Sequence, residues 1–249
     1  MTSALNTTPT ATTPAEHPIL FSGPMVRALL YSDGVNRGKT VTRRAWQPPK
    51  GSIHTQLGDG WYTFPNDKGW YHAEEDVCPY GRPGDRLWVR ETWRPSIAHH
   101  CVQDTCDCGD VNVTYAADKH VQYFTEYRIP SDWTMPKAAK VGNVSSIFMP
   151  RRASRITLEV TEVSMERLHD ITELDVMAEG FQETRLAVTG KRIWHVDDWP
   201  TPDVWDSPLD AFRGVWTRLN GRASWDANPF VWVVRFNVLS QPTAPTSKQ

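Results

Sequence analysis

The stretch Arg37-Gly38-Lys39-Thr40-Val41-Thr42-Arg43-Arg44 crowds cations and two hydroxyls around one glycine. The alternation of Thr40, Val41 and Thr42 predicts a short strand with one half-buried face. Gly38 allows a tight lead into that strand. A lysine at a strand mouth, beside a hydroxyl and two guanidiniums, suits an anion or a polarised carbonyl. The same residues equally suit a basic strand edge whose cations discourage pairing with another sheet.

Glu179 is a second candidate. Leu168-His169-Asp170-Ile171-Thr172-Glu173 opens a helix, with Asp170 or Thr172 as its cap and a capping pattern from Thr172 to Asp175. Gly180 ends that helix. Glu179 is therefore at the C-terminal end, where the helix dipole disfavours a negative charge unless a cation stands near. That makes it a candidate acid or base; the alternative is an exposed glutamate with no role.

Other residues fit a binding pocket and a plainer role equally well. Arg90 and Glu91 follow the alternating run Leu87, Trp88, Val89 and are either pocket groups or an exposed ion pair. Trp46 and Trp88 are either surfaces on which a base could stack or ordinary packing residues. Arg151, Arg152 and Arg155 form a second basic knot, suited to phosphate contact or to covering the rim of a sheet.

The elements that must position these groups follow in order. Ile19 to Phe21 is a first strand, and Ser22 and Pro24 open a helix carrying Met25, Val26, Leu29 and Leu30 at helical spacing. After the basic stretch, residues 51–80 show no sustained period and fit a loop or irregular hairpin. Gly84-Asp85 introduces a strand from Arg86 to Trp93. Residues 94–140 look like an insertion with one short strand, Val111 to Ala116. Ile156 to Val163 alternates as a strand, and residues 182–207 form a second, tryptophan-containing insertion. Leu209 to Leu219 carries the apolar stripe Phe212, Val215, Trp216, Leu219. Ser224 to Pro229 is a turn, and Phe230 to Leu239 closes the chain as a long strand. The order lacks the regular βαβ alternation that a doubly wound sheet calls for. The order fits an α+β chain built on a small, mostly antiparallel barrel with a few covering helices.

Composition sets the outer limits. The chain has 249 residues, 39% hydrophobic and 22% charged, with a formal net charge of -2. Such a charge provides no global field for nucleic acid, so any such site must be a local basic patch. Twelve tryptophans favour half-buried strands and pocket walls. No apolar run is long enough to span a membrane, and the first residues lack the pattern of a signal peptide, which together point to the cytoplasm. Residues 1–16 and 241–249 are small, polar and proline-containing and read as disordered tails around one domain, 17–240.

Four cysteines in a cytoplasmic chain do not suggest disulfides. Cys101, Cys106 and Cys108 crowd near His99, His100 and His120. Those three thiolates with His100 could hold a structural zinc, although Cys-x4-Cys-x-Cys is not a strong zinc spacing and has no second paired half. The alternative is a polar loop with free thiols.

The chain resembles the ASCH domain, a branch of the PUA-like barrel superfamily. The likeness rests on Gly38 to Arg43 after the first helix, Gly84 to Leu87 leading a strand, Ile156 to Leu168 running into Ile171-Thr172-Glu173, and the closing strand from Phe230. Pro18 to Ser22, Cys78 to Gly81, Met149 to Arg151 and Ser224 to Pro229 resemble phage and prophage members. Some small bacterial ASCH proteins are amidohydrolases that deacetylate N4-acetylcytidine with a Lys, a Thr and a Glu. By resemblance Lys39, Thr42 and Glu179 occupy those roles and no cofactor is required; Arg43, Arg44, Trp88, Glu91 and Arg155, read from the residues themselves, are candidate substrate contacts. In a regular strand residues 39 and 42 face opposite sides, so they meet only if the chain bends or Lys39 precedes the strand. The alternatives implied by the family are a non-catalytic RNA-binding module, or a ribonuclease, with a basic surface joining Arg43, Arg44, Arg151, Arg152 and Arg155. A phage-encoded copy would act in the host cytoplasm.

Overall fold

Two eleven-residue strands rich in β-branched and aromatic side chains, β9 (Thr157–Arg167) and β12 (Phe230–Ser240), pair antiparallel at the centre of the fold. The structure is a computed structural model, and it describes residues 13–30, 38–46, 61–63, 70–72, 78–97, 111–124, 134–196 and 204–240. Around the central pair lie β1 (Glu16–Leu20), β2 (Val41–Ala45) and β5 (Arg86–Arg90), in the order β1-β5-β9-β12-β2. Only β1 and β5 run parallel. Val231, Trp232, Val233 and Val234 are all buried, so β12 is covered on both faces.

Helix α1 (Gly23–Leu30) buries Met25, Val26 and Leu29 in this core. Ser22 does not cap it through its side chain. Its carbonyl instead accepts from the Val26 N–H at 2.9 Å, and its hydroxyl has no hydrogen-bond partner among the described residues. Helix α2 (Glu173–Ala178) begins with the expected capping box between Thr172 and Asp175. Helix α3 (Pro208–Asn220) is capped by Ser207 and buries Phe212, Val215 and Trp216. The residues read as a turn at 224–229 begin instead inside a short helix, α4 (Arg222–Asp226).

The fold is α+β and mostly antiparallel, as expected, but no closed barrel forms among the described residues. β1 and β2 are the two free edges. In a flat sheet four spacings of ~4.8 Å would separate them, farther than one side chain reaches. Yet Arg44 on β2 donates to the Leu20 carbonyl at the end of β1 at 2.5 Å. The sheet must therefore curl until its edges face each other. Register shifts in β12 after Arg235 and after Val238 assist the bend.

The stretch 94–140 is more ordered than a loop with one strand. β6 (Trp93–Ile97), β7 (Val111–Tyr115) and β8 (Val121–Phe124) form a separate three-stranded sheet. Its core holds Trp93, Val113, Tyr115, Val144 and Met149. β3 (Trp61–Thr63) and β4 (Trp70–His72) pair antiparallel within 51–80, the second of the two forms, loop or irregular hairpin, that the sequence left open. The second insertion contains a hairpin of β10 (Gln182–Arg185) and β11 (Arg192–His195), and its Trp194 and Val196 join the main core. These short strands escape a sequence reading because four alternating residues barely differ from chance.

Both expected tails and the zinc candidates Cys101, Cys106, Cys108 and His100 lie outside the described residues, apart from the 13–16 end of the first tail. Cys78 is a free, buried cysteine, and burial pushes its thiol up to about 11. Among the described residues no helix is long and apolar enough to cross a membrane.

Candidate active site

Lys39 precedes β2 rather than lying in it. Its N–H donates to the Ala28 carbonyl of α1 at 3.1 Å, and the Thr40 N–H donates to Ala178 of α2 at 2.8 Å. The segment is thus pinned between two helices before the strand begins, which removes the period-two objection. Lys39 and Thr42 line the same cleft.

Glu179 is not exposed; it is 4% accessible and Lys39 is 2%. The Lys39 ammonium donates to Glu179 Oε2 at 2.5 Å and to the Glu179 carbonyl at 2.9 Å. The Arg43 backbone N–H donates to the other carboxylate oxygen, Oε1, at 2.7 Å. Both oxygens are thereby fixed by groups 136 and 140 residues away in sequence. The cation needed to offset the helix dipole is Lys39, which also meets the unpaired carbonyl of Glu179 at the helix end. Burial lowers the Lys39 pKa; the Glu179 charge and hydrogen bond oppose that, and Arg44 and Arg43 add to it.

Arg43 backs the pair. Its Nη2 lies 3.2 Å from both Glu166 Oε2 and Asp175 Oδ2, and its Nη1 lies 3.7 Å from Glu179 Oε1. Asp175 therefore both caps α2 and holds Arg43. Burial would raise its pKa, but hydrogen bonds from Thr172, the Arg43 charge and a bond from Arg235 bring it below the usual aspartate value.

The geometry of Glu179 depends on the residue after it. Gly180 has φ +98°. Its N–H donates to Met177 and the Phe181 N–H to Val176, a Schellman closure of α2. A Cβ at Gly180 would lie 2.8 Å from the Ala28 Cβ and 3.3 Å from the Lys39 Cβ. Gly180→Ala is therefore expected to cost about 1–3 kcal/mol from overpacking, with backbone strain adding ~1–2 kcal/mol. Urea denaturation measures it; a loss below ~0.5 kcal/mol would mean the turn tolerates a side chain.

The cleft holding these groups has a volume of about 420 Å³, within the usual ~300–1,000 Å³ for small-molecule sites. It lies by the curled seam. Lys39, Thr42, Arg44 and Glu179 line it, and Phe21, Phe181, Phe212 and Trp216 supply aromatic wall. A second, wider groove of about 590 Å³ lies along α3 and α4, but Asp206, Asp210, Arg213 and Arg222 in it are all exposed. The smaller cleft is the one where burial and specific charges act together.

Three expected substrate contacts lie elsewhere. Arg155 is buried and holds both oxygens of Glu91 at 2.8 and 2.9 Å, and both oxygens of Asp118 at 2.8 and 3.0 Å. Its guanidinium carbon stacks 4.0 Å from the Tyr115 ring. Arg155 is thus neither a free phosphate contact nor a rim residue, and Glu91 is not in an exposed pair. Trp88 is buried, with Arg90 over its ring at 4.6 Å. None of Trp88, Glu91 and Arg155 lines the cleft. Phe181 gave no signal in the sequence, and Phe212 and Trp216 stood out there only as members of a helical apolar stripe. Their helical stripe signalled burial but not that one end of the stripe borders a cavity.

The proposed basic surface also changes character. Arg43 and Arg155 are buried against carboxylates, Arg151 is paired with Glu16 at 2.8 and 3.0 Å, and Arg44 is bound to a carbonyl. β2 is a sheet edge, as one expectation had it, but Lys39 and Arg43 are internal rather than displayed to solvent. Comparison of the chain with models of known protein families, with curated proteins and with solved structures finds no match in any of the three.

Proposed function

We propose that the chain is an amidohydrolase that removes an acyl group from an acylated nucleoside or a similar modified base. The observation that carries this is the buried Lys39–Glu179 pair sharing a cleft with Thr42. The resemblance to the ASCH group assigns chemistry to the same three residues. The aromatic wall suits a flat heterocycle, and no metal or cofactor is needed.

A proton moves from Lys39 to Glu179 within the pair, which leaves a neutral amine; desolvation of Lys39 brings that form within reach. The amine takes the Thr42 hydroxyl proton as the oxygen attacks the acyl carbon. The resulting lysine cation stands near the oxyanion. Glu179 gives its proton to the leaving nitrogen as the C–N bond breaks, and the pair returns to its charged form. Water then attacks the threonine ester, the acid leaves, and Thr42 regains its proton.

Incubation of purified protein with N4-acetylcytidine and a panel of acylated nucleosides tests this. Turnover is expected, falling by ~10²–10⁴ in Lys39→Ala and in Thr42→Ala. No turnover on any member by folded protein overturns it. Nucleic-acid binding would then be the next subject, by RNA titration against salt. The capture of Arg43, Arg151 and Arg155 by carboxylates within the chain weighs against that second function.

A further inference from the structure

Of the three cations lining the cleft, two have carboxylate partners. Lys39 is paired with Glu179, and Arg43 with Glu166 and Asp175. Arg44 has none among the described residues. One of its terminal nitrogens donates to the Leu20 carbonyl, and its guanidinium carbon lies 5.1 Å from the centre of the Phe21 ring. Its Nε is shut off from solvent with no acceptor. Burial lowers its pKa, and the nearby Tyr80 and Glu179 oppose that shift without pairing with it.

A second unused group lies in the same cleft. Ser22 lines it, two residues beyond the carbonyl that Arg44 holds, and the buried Ser22 hydroxyl also lacks a partner. Buried donors are ordinarily satisfied, and a half-buried cation ordinarily has a counter-charge. An arginine and a hydroxyl that line one cleft and each keep an unpartnered donor provide a fork and a single donor, the set that holds an oxyanion. The Leu20 bond and the Phe21 ring fix the guanidinium in place, so an incoming anion meets an ordered receptor.

We propose that the cleft takes an anionic ligand: a flat aromatic or heterocyclic ring against the aromatic wall, with a carboxylate or phosphate held by Arg44 and Ser22. This deepens the hydrolase assignment by naming the substrate class, a charged acylated heterocycle rather than a neutral one. The anion subsite itself does not require turnover, so the two can fail separately.

Calorimetric titration of the full chain with two matched pairs tests it: benzoate against benzamide, and cytidine 5′-monophosphate against cytidine. At least one anion is expected to bind ten-fold or more tighter than its neutral partner. The pair showing the larger ratio identifies carboxylate or phosphate as the preferred group. Raising salt should shrink that ratio. Arg44→Gln should reduce it to about one, and Arg44→Lys should keep part of it, because a point charge remains without the fork. Equal affinity within both pairs for the wild-type protein overturns the proposal whatever the variants do. So does a ratio that survives in Arg44→Gln. An anion preference in a protein that hydrolyses nothing would leave the subsite standing and remove only the hydrolase.

Discussion

Glu179→Leu is expected to lower folding stability by about 3–5 kcal/mol, the range for removing one partner of a buried ion pair. The Lys39 ammonium would keep its bond to the residue-179 carbonyl but lose the carboxylate that compensates its burial. The Arg43 N–H would lose its acceptor as well. The double variant Lys39→Leu, Glu179→Leu should recover most of the loss, because two apolar side chains of similar size carry no desolvation penalty. Both variants should be inactive. Urea denaturation of the single and double variants checks this. A single variant as stable as the wild type, or a double no better than the single, would show that the pair is not electrostatically coupled.

The pH dependence of the single variant has a definite sign. The folded-state pKa of Lys39 is already lowered from 10.5 by burial, and removing Glu179 takes away the group that raises it. Between that lowered value and the ordinary lysine value the unfolded chain binds more protons than the folded one. Stability then rises with pH. The deficit of Glu179→Leu should therefore shrink as pH increases from neutral toward 10, where the buried amine becomes neutral.

Arg155→Met is the second large effect, expected at about 3–5 kcal/mol for the same physical reason. Glu91 is 1% exposed, and with Arg155 gone both it and Asp118 lose their bidentate partner. Burial already raises the Glu91 pKa, against the hydrogen bond and charge of Arg155. A raised carboxyl pKa means that the folded state binds the extra proton, so stability falls as pH rises from the ordinary glutamate value through the folded one. The variant should thus regain stability on mild acidification, when Glu91 becomes neutral. The loss should also be local. Arg155 follows the 151–153 turn, Asp118 follows β7, and Tyr115 stacks on the guanidinium while its hydroxyl donates to Gln122 or to the Ala153 carbonyl. Hydrogen exchange in residues 111–124 should therefore accelerate more than in residues 230–239. Uniform acceleration would mean that the small sheet and the main sheet unfold together.

Features whose cause is local were legible in the sequence. The Thr172–Asp175 capping box, the stop at Gly180, the apolar stripe of α3 and the long closing strand each depend on residues within a few places of one another. The mostly antiparallel α+β class followed from their order, and Lys39 and Glu179 each stood out by residue type and by their place at a strand mouth and a helix end. Nothing local, however, reveals that Lys39 meets a carboxylate 140 residues away. Nor does it reveal that Arg155 faces Glu91 and Asp118 rather than solvent, or that Arg44 reaches across from one sheet edge to the other. Those facts depend on strand order and curl. A sheet ordered β1-β5-β9-β12-β2 brings its first and last members together only when it bends, and the bend is set by packing over the whole core. Side-chain charge is written in the sequence. Whether that charge is a solvated surface group or a buried, paired one is decided by which distant segment covers it, and here tertiary structure turned an apparent basic edge into the lining of a cleft.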